Sequence, residues 1–212
     1  ITNSGTGYLL LTNGAVGRNE TFNSTATFNT TNTGGLYIGY QRNVTFNSNV
    51  IVNNPTGSGV IYLGYNGAVN LSSGSTISCG TFSTSNLYLY KLSQTGSTAL
   101  NLSPGNTGGV HIYQSSITGN LTVNAGIITA QTSTFAAAVN YSVGGTIMNN
   151  WSAGGNTYNG VLTINNSSSG YFGFGNGTAD TYNDDVYINN TSTTGGRIIF
   201  GNSSNNQFNG NI

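Results

Sequence analysis

The sequence predicts an all-β fold: a right-handed parallel β-helix with three short strands per turn and about eight turns of roughly 23–27 residues. Three observations predict it. A phrase of the form Gly-x-apolar-x-apolar-Gly recurs along the chain, as in Gly35-Leu-Tyr-Ile-Gly39. A second apolar phrase follows at a fixed step, so that Gly39 leads to Phe46-Asn47, Gly175 to Tyr182-Asn183 and Gly201 to Phe208-Asn209. Within each phrase the apolar period is two, the period of a strand and not of a helix. Right-handed winding follows from the crossover preference of parallel strands.

Each strand follows from this alternation. The first phrase supplies the inward pairs Leu9/Leu11, Leu36/Ile38, Ile61/Leu63, Leu87/Leu89, Val110/Ile112, Phe172/Phe174 and Ile198/Phe200. The second supplies Val44/Phe46 and Val69/Leu71, and the third Ala26/Phe28, Val50/Val52, Leu121/Val123, Leu162/Ile164 and Val186/Ile188. A single turn cannot cover its own apolar side, but stacked turns bury a continuous column. Asn23, Asn47, Asn159, Asn183 and Asn209 follow the aromatic of the second phrase, where the chain must turn. Asn tolerates left-handed backbone angles, and stacked Asn side chains can bond to one another along the rod.

The repeat loses its wording between about residues 125 and 157, which reads as one irregular turn or a turn with a protruding loop. No linker or charge run divides residues 1–212, so the chain reads as one solenoid domain. It begins Ile-Thr-Asn and stops at Ile212 in mid-phrase, which reads as a piece of a longer repeat array.

Composition narrows the function. Four Lys/Arg balance four Asp/Glu, and charged residues make up 4% of the chain. Arg18, Arg42, Lys91 and Arg197 are scattered, which argues against nucleic acid and against docking to anionic lipid. No apolar run is long enough for a membrane-spanning helix. With 13 Tyr, 9 Phe and many Val and Ile, the chain can bury a thin core despite its polar composition. The lone Cys79 excludes an intramolecular disulfide, and its alternation with Ile77 turns it inward. Abundant Asn, Thr and Gly with scarce Lys suit an extracellular surface protein.

Few residues carry chemistry. Asp180, Asp184 and Asp185 share one turn and are the candidates for a weakly held cation or a carboxylate pair; a solvated turn is the simpler reading. His111 is the sole histidine, read as an exposed structural residue, and no cofactor is implied. Trp151 reads as a loop anchor or a ligand platform. So few titrating groups predict little change of stability between about pH 5 and 8. The outward residues of the first strand are more informative. Tyr37, Tyr62 and Tyr88 fall in successive turns, with Tyr40 and Tyr65 beside them. Such a ladder is either strand packing or an aromatic strip that docks sugar rings or another surface.

The phrases Gly196-Arg-Ile-Ile-Phe-Gly201 and Tyr158-Asn-Gly-Val-Leu-Thr-Ile-Asn-Asn166 resemble the repeats of large secreted surface proteins of Bacteroidota, including gliding-type adhesins. The resemblance implies export, a filamentous or stalk-like role and adhesion, and carries over no catalytic residue. The expected function is therefore a structural or adhesive, non-catalytic segment of a surface fibre. Its partners would be glycans, other cell-surface components or neighbouring repeats. The alternatives are a carbohydrate-binding or polysaccharide-active β-helix, and an ice-binding solenoid. Thr25/Thr27 and Thr132/Thr134 hint at the last, but no Thr-x-Thr column repeats from turn to turn.

Overall fold

The computed structural model describes residues 1–11, 19–145 and 150–212. It is an all-β solenoid of about eight turns, with every strand pairing parallel to its equivalents in the neighbouring turns. The described residues include no helix, and so none able to cross a membrane.

Three faces wind around one core. The first phrase builds the first face, where Leu36, Ile61, Leu87, Val110 and Ile128 stack in register. The second phrase builds a sheet of 9 strands, running from Glu20–Phe22 to Gln207–Phe208. The third face stacks Ala26, Val50 and Ile77 in one column, and Leu100, Leu121, Val139, Leu162 and Val186 farther along. Residues inward by alternation are buried almost without exception in the inner turns, each contributing about 1.5–3 kcal/mol. Aromatic rings stack inside as well: Phe135, Tyr158, Tyr182 and Phe208 are spaced 4.9, 5.1 and 4.7 Å apart.

The corners explain the polar composition. Gly39 and Gly64 turn the chain out of the first face with φ of +72° and +77°. A Cβ on Gly64 would lie 2.2 Å from the Tyr90 carbonyl oxygen. In the following turns Lys91, Gln114 and Thr132 take the left-handed conformation instead. The expected Asn ladder is present. Asn47 Nδ2 donates to Asn23 Oδ1 (2.8 Å), Asn183 to Asn159 (2.8 Å) and Asn209 to Asn183 (2.7 Å). A second ladder, not foreseen, joins Asn140, Asn165 and Asn189 on the third face.

A third device secures the corner between the first and second faces. In the earlier turns the backbone N–H at this corner donates to a backbone carbonyl, as Val44 N does to Ala68 and Val69 N to Lys91, but from Leu92 onward it donates to a side-chain oxygen one turn later. Leu92 N donates to Ser115 Oγ, Ser115 N to Ser133 Oγ and Ser133 N to Asn156 Oδ1, each at 3.1 Å. Asn156 N then donates to Asp180 Oδ1 (2.8 Å), and Asp180 N to Asn206 Oδ1 (2.9 Å). Buried amides of a corner need acceptors, and this column supplies them in series.

Three expectations are corrected. Much of the segment expected to be irregular is regular: Thr134–Phe135 and Val139–Val143 pair in register on both sides. What changes is turn length. Bonded equivalents such as Ser115 and Ser133 lie 18 residues apart, against 24 for Asn23 and Asn47. Residues 146–149 of that segment lie outside the described residues. Secondly, the third and first faces are not always separate strands. Leu100–Tyr113 and Leu121–Gln131 run around their corner unbroken, and register shifts flanking Gly105 absorb the bend. Thirdly, Ile198 is half-buried and Ile188 is 43% exposed, because both lie on the last turn of the chain described here.

Candidate functional site

The outward side of the first face carries the expected tyrosines. Pairing places Leu10, Tyr37, Tyr62, Tyr88, His111 and Thr129 in one column. The rings of Tyr37, Tyr62, Tyr88 and His111 stack at 4.6, 4.4 and 4.4 Å, with interplanar angles of 12–14°. Tyr40 and Tyr65 form a parallel stack beside them at 5.5 Å. Tyr65 meets Tyr37 and Tyr62 edge-on at 5.6 and 5.4 Å, tying the two stacks together. Tyr90 and Tyr113 form a further, tilted pair 4.7 Å apart, and Tyr90 meets Tyr65 edge-on at 6.2 Å.

This geometry restricts what the ladder can do. The rings face one another along the rod, so both faces of Tyr62 are covered. Solvent meets ring edges and hydroxyls. A sugar ring stacked flat needs an open aromatic face, and the ladder's interior offers none. The stack ends beside Leu10, where an open pocket of about 190 Å³ is lined by Tyr8, Leu10, Tyr37, Tyr40 and Tyr65. Burial first, then the adjacent Tyr88 and Tyr37 hydroxyls, push Tyr62 well above its ordinary value of 10.0. The Tyr62 phenol is therefore neutral across the physiological range.

His111 points outward as expected but is not exposed. It retains 9% of its surface, because Tyr88 covers its ring and Tyr113 flanks it. Its Nδ1 lies 2.8 Å from Thr129 Oγ1. Burial lowers its pKa to about 4, so the ring is neutral.

The three aspartates separate. Asp180 is fully buried inside the rod, whereas Asp184 is exposed and Asp185 half-exposed. Asp180 Oδ1 accepts from the backbone and Nδ2 of Asn156 (2.8 and 3.0 Å), and Tyr182 donates to Oδ2 (3.3 Å). Burial raises the Asp180 pKa against these bonds. Asp185 Oδ1 accepts from the backbone and side chain of Asn211. The solvated-turn reading therefore fails for Asp180, which belongs to the corner column, and no group of three potential metal ligands gathers among the described residues. A sequence signal for this existed: Asp180 stands two residues before Tyr182, hence on the same inward side. The same offset puts Asn156 before Tyr158.

Cys79 packs against the core, and burial pushes its thiol up to about 12, as for an inert small hydrophobe. Thr27 pairs with Ile51, and Ile51 with Ser78, so the Thr column stops after one turn. Trp151 sits on the outward side of the first face. Its ring occupies the space above Gly173, where a Cβ would come within 2.2 Å of Cε3. No family model, curated protein or solved structure matches this chain.

Proposed function

We propose that this chain is a structural and adhesive segment of an extracellular surface protein, binding and scaffolding without catalysing. One observation carries the reading: a contiguous outward group of tyrosines, most of them stacked, on a parallel β-solenoid. Its edges and hydroxyls suit hydrogen bonding to a hydroxyl-rich surface such as a glycan coat. The rod holds them at fixed spacing, so little ordering entropy is lost on contact. The scarcity of charge and the abundance of Asn, Thr and Gly support an exported location. The internal role of Asp180 supports a reading without a carboxylate pair, since the inverting and retaining routes to glycoside cleavage both need two.

The test replaces the outermost members of the second stack. Tyr40→Ser with Tyr65→Ser should leave the circular dichroism spectrum unchanged and remove most of the chain's retention on glycan-coated surfaces. Unchanged retention would reduce the tyrosine sheet to strand packing. Polysaccharide cleavage that disappears in Asp184→Ala would overturn the non-catalytic reading.

A further inference from the structure

Beyond the tyrosine sheet, the first face presents a second aromatic group with different geometry. Trp151, Tyr171 and Arg197 come from three successive strands of that face, Asn150–Trp151, Tyr171–Phe174 and Arg197–Phe200. Trp151 and Tyr171 are 6.2 Å apart and inclined at 46°, so their rings are not stacked and do not cover one another's faces. Gly173 leaves the room that the indole fills, and any side chain there would displace it. Arg197 is exposed, with its guanidinium carbon 5.6 Å above the Tyr171 ring. That contact is its only side-chain partner among the described residues.

We propose that Trp151, Tyr171 and Arg197 form a subsite for carboxylate-bearing sugars of an acidic polysaccharide. The inference rests on the glycan-binding reading and names its ligand class, but it uses a different part of the rod. The indole supplies an apolar surface for the C–H side of a sugar ring. The guanidinium presents a planar fork that pairs with a carboxylate through two hydrogen bonds. Tyr171 beneath it restricts the Arg197 side chain to the sheet surface, which reduces the entropy lost on pairing. Every residue sits on a strand, so the spacing is set by turn stacking and not by a loop.

The experiment measures retardation of the 212-residue chain in native gels containing polygalacturonate, and in gels containing the same polymer with its carboxylates reduced to alcohols. The expected result is retardation by polygalacturonate that weakens at high salt, and weaker retardation by the reduced polymer. Arg197→Gln should lower affinity for polygalacturonate about tenfold, the loss of one charge-assisted contact, and leave the reduced polymer unaffected. Trp151→Ala should weaken both. Because Trp151 also covers Gly173, Trp151→Phe serves as the folded control and should retain part of the binding. Equal binding of the two polymers, binding of neither, or an unchanged Arg197→Gln variant would each overturn the subsite. The paired Tyr40/Tyr65 serine variant separates the two readings. It should keep this acidic-polymer response, and losing it instead would move the uronate site to the tyrosine sheet and overturn the assignment to Trp151.

Discussion

Tyrosine is stacked in two regions of this rod, on opposite sides of the wall. Tyr37, Tyr62 and Tyr88 stack outside, with hydroxyls at the surface. Tyr158 and Tyr182 stack inside at 5.1 Å, with Tyr141 edge-on to Tyr158. The residue type and the parallel stacking are shared, so neither explains the difference. Parity does. Tyr62 stands between the inward Ile61 and Leu63, whereas Tyr182 stands two residues from the inward Asp180. The outer tyrosines are half-buried, and none of their hydroxyls is buried without a partner. The inner ones need partners: Tyr182 finds Asp180, while the Tyr141 and Tyr158 hydroxyls are buried without a hydrogen-bond partner. Interior tyrosine therefore carries a polar burden that phenylalanine in the same column, Phe135 or Phe208, does not.

The comparison can be broken most strongly from within. Phe172→Ala, beside Tyr141 and Phe174, should lose about 3–5 kcal/mol in denaturant unfolding, the usual cost of emptying a buried aromatic position. A loss below about 1 kcal/mol would mean that the interior is loosely packed.

A smaller effect should come from acid, and it originates on the outer face. His111 has its ordinary value of 6.5 lowered to about 4 in the folded protein. The folded protein keeps the ring neutral where the unfolded chain binds a proton. The His111 contribution is therefore full above about 6.5 and falls as pH drops toward about 4, by up to roughly 3 kcal/mol. This narrows the expected indifference to pH to the range above about 6.5. His111→Phe should keep the ring stack and remove the slope; a slope that persists would place its origin elsewhere.

The inner region responds with the opposite sign. Asp180 is raised above its ordinary 3.8 by burial. Its stability contribution is full below that value and declines as pH rises through the folded one. Asp180→Asn preserves the acceptor for Asn156 and discards the charge, so it should melt higher than the parent at pH 7 by about 1–2 kcal/mol of stability. A difference in melting between pH 5 and 7 that is the same for both proteins would show that the Asp180 carboxyl does not change its charge in that range and overturn this prediction.

The strand faces were legible because alternation and the Gly phrases repeat in every long turn. Phe46, Leu63 and Ile164 are inward as the sequence requires. The stretch between about residues 125 and 157 was not, because a turn of 18 residues breaks the longer spacing of the other turns. Shortening removes corner residues and leaves the strand register intact, so the structure stays regular while the spacing does not. The burial of His111 is not legible because Tyr88 covers it from the preceding turn, and the ring directions of Tyr88 and of Tyr113, two residues along the same strand, are not written in the alternation. The ladder was found, but its ring orientation, which decides whether faces or edges meet solvent, depends on side-chain rotation that alternation does not specify.

The acceptor column at the corner has a consequence for how such a rod can change over time. From Leu92 to Asn206 each turn lends a side-chain oxygen to the amide of the turn before it and borrows one from the turn after it. Ser, Asn and Asp all serve as lender, so a change of type is tolerated while a loss is felt one turn away. The heritable unit is thus the whole turn. Duplicating or deleting one leaves every loan matched, whereas removing part of one leaves an amide in debt beside an otherwise untouched sequence.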